Sequence, residues 1–137
     1  MVNIPKEVMD IFTGQRNPNQ YRAIVTISPE GVPNITPMGS IGPVDSETMM
    51  FADMATVHTK GNLTGPNKKV LIALFSPPMD AYQIKGTFVE FQTSGPLYEK
   101  WKGFMTAQKY PAPRAIGIIK VDEVWTSNPA KPNKKLA

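Results

Sequence analysis

Residues 69–93 read K-V-L-I-A-L-F-S-P-P-M-D-A-Y-Q-I-K-G-T-F-V-E-F-Q-T, and two strands can be read from them directly. Lys69 to Ser76 is an unbroken apolar run of strand length, the pattern of a fully buried strand, and Pro77-Pro78 closes it. Tyr82 to Thr93 follows as a longer strand, with Phe88 and Glu90 on one face and Val89 and Phe91 on the other. Gly86 inside it marks a bulge or a close backbone approach.

Upstream, Tyr21 to Ser28 is a strand rich in β-branched residues, and Pro29-Glu30-Gly31 supplies a turn. Val32 to Ile41 runs back as a strand interrupted or edge-like at Pro33 and Pro37, with Pro43 just beyond. Asp45-Ser46 reads as a turn, Thr48 to Ala52 as a short strand, and Thr56 to Pro66 as a short helix or turn. Ile4, Val8, Ile11 and Phe12 fall on one face of an N-terminal helix that stops at Gly14. Leu97, Trp101, Phe104 and Met105 repeat that spacing in a helix opened by Ser94-Gly95-Pro96, and Trp101 is expected in its packed core face. Arg114 to Thr126 is the last strand. Six strands and three short helices in one mainly β domain, residues 1–128, imply a small barrel.

Composition agrees. The 137 residues are 41% hydrophobic and 19% charged, a globular balance for one domain, and the 14 prolines and 10 glycines suit strands and turns. No cysteine is present and there is one histidine, which excludes disulfides, thiolate chemistry and a multi-histidine metal site within one chain. The formal charge is +4, and setting aside Lys131, Lys134 and Lys135 of the basic tail, residues 129–137, leaves +1 on the body. That tail is expected to be solvated. No run is long enough for a membrane helix, the N-terminus lacks a signal-peptide pattern, and a cytoplasmic protein that binds neither membrane nor nucleic acid is expected. Lysines interleaved with exposed aromatics, which single-stranded nucleic acid would require, are not found along any one segment.

Neither a G-x-S-x-G elbow, an H-E-x-x-H helix nor a G-x-x-x-x-G-K-[ST] loop occurs, so a borrowed cofactor is the expected source of any reactivity. His58-Thr59-Lys60-Gly61-Asn62-Leu63 leaves a strand and starts a helical turn. It reads either as a phosphate cradle of amides, hydroxyl and cation, or as a capped surface turn with a solvated lysine.

The chain resembles the pyridoxamine 5′-phosphate oxidase-related FMN-binding split-barrel family, nearest in style to its short FMN-binding proteins. The resemblance rests on the P-E-G turn, Thr36-Pro37-Met38, the segment H-T-K-G-N-L-T-G-P-N-K-K-V-L-I-A-L (58–74), Y-Q-I-K-G-T (82–87) and T-S-G-P (93–96). It covers roughly residues 20–125. It implies a six-stranded split β-barrel that forms a homodimer with FMN at the subunit interface. Thr59, Lys60 and Asn62 match the phosphate segment, while His58 stands where the family often has lysine. The flavin ring is implied against Thr36, Pro37, Met38, Gly39 and Ser40 and against Phe51, Ala52 and Asp53.

Chemically, the ring wants apolar faces with a few polar contacts at its edge. Gly39 permits close approach, and Met38 and Met50 are soft ring contacts or core filling. Donors near the ring's N1–C2 oxygen edge would stabilise the reduced, anionic flavin. Trp125 either covers a flavin or anchors the interface. The implied activity is FMN-dependent oxidoreduction with no metal. A deazaflavin F420 or nitro-compound reductase of the same fold, or a flavin carrier, is the alternative. Oxidation of pyridoxamine phosphate itself is not expected, because members that perform it carry further C-terminal arginine and histidine.

Overall fold

A computed structural model describes residues 2–15 and 17–137. The order is α1 (Lys6–Thr13), β1 (Tyr21–Ile27), β2 (Pro33–Pro37), β3 (Gly42–Asp45), β4 (Thr48–Asp53), α2 (His58–Thr64), β5 (Lys69–Ser76), β6 (Asp80–Gln92), α3 (Pro96–Ala107) and β7 (Ala115–Thr126). All pairings are antiparallel, in the order β2-β1-β5-β6-β7-β4-β3. The fold is mainly β, as expected, with seven strands among the described residues rather than six. The segment read as one strand from Val32 ends at Pro37, and the chain resumes pairing at Gly42 against Met50. The break between them, Met38–Ile41, becomes a loop of the site.

The sheet curls around one core. Ile24, Ile72, Ile84, Phe51, Ile119 and Val121 point inward and are almost fully buried, and Val8 and Phe12 of α1 and Leu63 of α2 plug the open sides. A second cluster lies on the opposite face of β4 and β7, where Met50, Ala52 and Ile116 meet Leu97, Tyr98 and Trp101 of α3. Successive side chains of a strand alternate faces. Met49 and Phe51 therefore enter the barrel while Met50 and Ala52 turn toward α3.

Gly86 fulfils both readings of its position. The β6–β7 register shifts between Lys85 and Gly86, and a Cβ there would stand 2.6 Å from the Lys120 carbonyl oxygen.

The basic tail does not hang free in solvent. Leu136 N–H donates to the Val124 carbonyl at 2.7 Å, and Thr126 N–H to the Lys134 carbonyl at 2.8 Å. Leu136 and Ala137 pack on the core, so the tail covers the edge of β7 beyond the end of β4. Its lysines stay exposed, and Lys135 lies 3.7 Å from Glu123. The sequence showed the charge of this segment but not the strand edge it would meet.

Glu123 is held below the ordinary carboxylate range, chiefly by the Trp125 indole N–H and then by Lys135 and Lys85, against an opposing effect of desolvation. A depressed folded-state value means this group stabilises the fold above its unfolded value, and the contribution is lost as pH falls through the folded one. Acidification below the usual carboxylate range should therefore change Trp125 emission in a Trp101→Phe background. The same acid transition persisting in Glu123→Gln would show that another group drives it.

Candidate functional site

A cavity of about 750 Å³ opens between the loop after β2, the end of β4 and the inner face of α3. Thr36, Pro37, Met38, Gly39 and Ser40 form one wall. The opposite wall is Trp101, Phe104 and Met105 of α3, with Tyr110 beyond the helix end. Ala52 and the Met54–Thr56 loop close a third side.

The loop wall is spliced to β4 by one hydroxyl. Ser40 Oγ accepts the Ala52 N–H at 3.0 Å and donates to the Ala52 carbonyl at 3.3 Å, replacing the missing strand pairing. At its other end the Thr36 and Thr59 hydroxyls meet at 2.8 Å, which ties the cavity wall to α2. Asn62 Nδ2 donates to Thr26 Oγ1 at 3.0 Å, fixing α2 against β1. Thr59 and Asn62 are buried, whereas His58 and Lys60 are exposed. No side chain caps α2, whose preceding residue is Val57. The turn thus lacks the side-chain cap of the surface-turn reading, while its Lys60 is exposed as that reading has it.

Of the thirteen residues the sequence put forward, Thr36, Pro37, Met38, Gly39, Ser40 and Ala52 line the cavity, and Thr59 joins it through Thr36. Phe51 does not, because it is on the inward face of β4, fully buried and edge-on to Phe91. Asp53 does not either. Its carboxylate is fully buried and accepts from the Thr56 N–H and hydroxyl and from the Arg114 guanidinium. It acts as a strut behind the Met54–Thr56 loop rather than as a ring contact. Trp125 does not line the cavity and lies near the far end of β7. There its indole donates to Glu123 at 2.9 Å under the Lys85 ammonium.

α3 departs from expectation more sharply. None of its side chains is fully buried, and Trp101, expected in the core, is half-buried with its ring edge-on to Phe104 at 5.3 Å. Its apolar stripe faces the cavity as well as the sheet. Periodicity reports that a helix has an apolar neighbour, and cannot report whether that neighbour is core or cavity.

Arg22 was missed. It lines the cavity and is 9% exposed. Period-two spacing places Arg22, Ile24 and Thr26 on one face of β1, and that face proves to be the inner one. Among the described residues lining the cavity it is the one charged side chain.

A curled antiparallel sheet with a cavity between its edge loop and an outlying helix defines a split barrel. The chain belongs to the pyridoxamine 5′-phosphate oxidase family, whose model matches residues 13–128. Among solved structures it is similar to HupZ from Group A Streptococcus, with 28% identity over 92% of this chain and 95% of that one and a TM-score of 0.77. An FMN-binding protein from Syntrophomonas wolfei subsp. wolfei shares the fold at 14% identity, covering 78% and 76% of the two chains at a TM-score of 0.68. An F420 reductase shares it at 17% identity, covering 86% and 94% at a TM-score of 0.61. No curated protein matches the chain. Among the described residues no helix is long and apolar enough to cross a membrane, and no cluster of metal-ligating side chains occurs.

Proposed function

We propose that the chain binds FMN at the interface of a homodimer and passes electrons or hydride through it to or from a small partner. The observation that supports this most directly is the cavity of about 750 Å³ whose loop wall is tied by Thr36 to Thr59 of α2. Its chemistry suits an isoalloxazine. Met38, Met54, Met105 and Trp101 offer soft or planar apolar faces, and the Gly39 wall presents backbone without a side chain. When bound, the flavin supplies reversible two-electron chemistry. The protein's part is to hold and shield the ring: the Thr36–Ser40 wall and α3 flank it, while Lys60 and His58, exposed beside Thr59, hold the phosphate.

A second protomer is supported by what the sheet leaves uncovered. Ile35 on β2 is 57% exposed, and its outward row continues through Val25 and Leu71, both incompletely buried. The next row runs Pro37, Ala23, Ala73, Gln83 and Trp125. Pro37 of the cavity wall and Trp125 thus share one row of the face that a second protomer would cover.

The purified protein should be yellow, release FMN on heating and have a solution mass twice that of the chain. A colourless protein that takes up no added FMN sinks the proposal, and uptake of F420 in place of FMN corrects the cofactor. A monomer that binds FMN normally removes the shared site. Reduction of the bound flavin by NAD(P)H separates an enzyme from a carrier.

The phosphate assignment has its own test. Thr59→Ala with Lys60→Ala should weaken FMN about tenfold or more, the loss of a charge-assisted contact, and riboflavin less than about threefold. Equal losses for both ligands in a calorimetric titration would place the phosphate elsewhere.

A further inference from the structure

We propose that the outer end of α3 seats the flavin's small-molecule partner, and that this partner is a planar ring without a formal charge. The inference rests on the flavin reading above and adds to it the chemical class of the second ligand.

α3 turns one stripe to the cavity: Trp101, Phe104, Met105 and Gln108, spaced i, i+3, i+4 and i+7. The stripe has two parts. Trp101 and Met105 are half-buried and belong to the ring site, whereas Phe104 is 51% exposed and Gln108 lies open beyond it. Tyr110, 59% exposed, joins the outer part through the backbone. Lys109 takes φ 64°, the left-handed region that non-glycine residues seldom adopt. The chain folds back on the helix end, where the Lys109 N–H donates to the Thr106 carbonyl and the Tyr110 N–H to the Met105 carbonyl, both at 2.9 Å. Two further residues of regular helix would instead have set position 110 on the side away from Gln108.

Large apolar side chains left open at the mouth of a cavity mark a ligand site. Phe104 and Tyr110 offer π faces, and the Gln108 amide and Tyr110 hydroxyl add neutral donors and acceptors for the edge of a ring. The charged residues of the helix and its end, Glu99, Lys100, Lys102 and Lys109, are absent from the lining. Arg22 stands on the β1 side and donates to Gln20 and to the Ile41 and Phe12 carbonyls. A charged ligand entering beneath α3 would therefore leave water without a counter-charge on the helix, which disfavours it. The volume of about 750 Å³ falls in the upper part of the range of about 300–1,000 Å³ for small-molecule sites, so a second ring can lie beside the flavin's.

The test uses the full-length protein loaded with FMN and titrated calorimetrically at neutral pH with two probes of one ring shape, 2-naphthol and 2-naphthalenesulfonate. The neutral probe should bind at least about tenfold more tightly than the anion. Phe104→Ala and Tyr110→Ala should each weaken 2-naphthol about tenfold, the loss of a stacked ring with its apolar contact, while FMN affinity moves less than about threefold. Both side chains are mostly exposed, so these variants should fold as the wild type does. Gln108→Lys supplies an arm of opposite sign: it brings an ammonium to the seat and should strengthen 2-naphthalenesulfonate about tenfold.

FMN-loaded protein that ignores both probes, prefers the sulfonate, or keeps full affinity for 2-naphthol in Phe104→Ala and Tyr110→Ala overturns the inference and leaves the flavin reading standing. So does sulfonate affinity unmoved by Gln108→Lys, and so does 2-naphthol that displaces FMN, because one seat would then serve both rings. A wild-type protein that takes up no FMN overturns the flavin reading and the inference with it.

Discussion

Arg114→Ala should lower the unfolding free energy by about 3–5 kcal/mol, more than Asp53→Ala at the other end of the same ion pair. The asymmetry follows from burial. Asp53 is completely inaccessible, whereas the Arg114 side chain is 40% exposed. Removing the arginine strands a buried carboxylate that keeps only the Thr56 N–H and hydroxyl, at 3.2 and 2.7 Å. Removing the aspartate leaves a guanidinium that can turn to water and still donate to the Thr56 carbonyl, now at 2.6 Å. Asp53→Ala should therefore cost about 2–3 kcal/mol, at or below the low end for a broken buried pair. The double variant should be no less stable than Arg114→Ala alone, because the residues share one interaction. Denaturant midpoints of the three variants check this, and equal losses for the two single variants would mean that the carboxylate is not the stranded group. Because the pair anchors the Met54–Thr56 wall, FMN affinity should fall in step with stability.

Asp53 also shows what the sequence could and could not reveal. Its motif neighbours placed the Phe51–Asp53 segment beside a ring, and the segment does run past the cavity, yet only Ala52 faces it. Strand alternation separates Ala52 from Phe51 and Asp53 in any strand, so this much was legible. Which face would meet the cavity depended on where α3 packs, and α3 is joined to β4 only through tertiary contacts. The long runs of β5 and β6 were read with nearly correct ends because their residues are held on both sides by neighbouring strands. β3 was missed because Gly42-Pro43-Val44-Asp45 carries no buried apolar side chain and takes its strand form only from pairing with β4. The tail was read by its lysines, although the residues that dock it are Leu136 and backbone groups. In each case local chemistry was visible in the sequence, and the partner across space was not.

Gly117→Ala should be among the most damaging single-methyl additions in the protein, destabilising it by about 3 kcal/mol, near the upper end for overpacking a core. Gly117 lies on β7 between two partners, opposite Phe51 on β4 and Phe91 on β6. Its backbone is ordinary strand, so left-handed freedom is not what the position requires. What it requires is space: a Cβ there would be driven into the Phe51 ring itself. That ring has no route of escape, because it is fully buried and packed edge-on against Phe91 at a centroid distance of 6.0 Å. The Phe91 ring in turn meets Phe88 at 4.7 Å between centres, tilted by 56°, so a displacement would pass along three aromatics. The alternative is to push β7 away from β4, which would loosen the sheet beneath Ala52 and the cavity. Phe51→Leu supplies the control. Alone it should cost about 1–2 kcal/mol, because it removes part of a buried ring and leaves a void. Combined with Gly117→Ala it vacates the space the new methyl needs, so the pair should be at least about 1 kcal/mol more stable than the sum of the single losses predicts. Strict additivity in a urea-unfolding cycle would mean that the methyl is accommodated by strand movement and not by the ring. The cavity then provides a second readout. Strand movement carries Ala52 away from the Ser40 hydroxyl and weakens FMN in the single variant, whereas relief by Phe51→Leu restores binding together with stability.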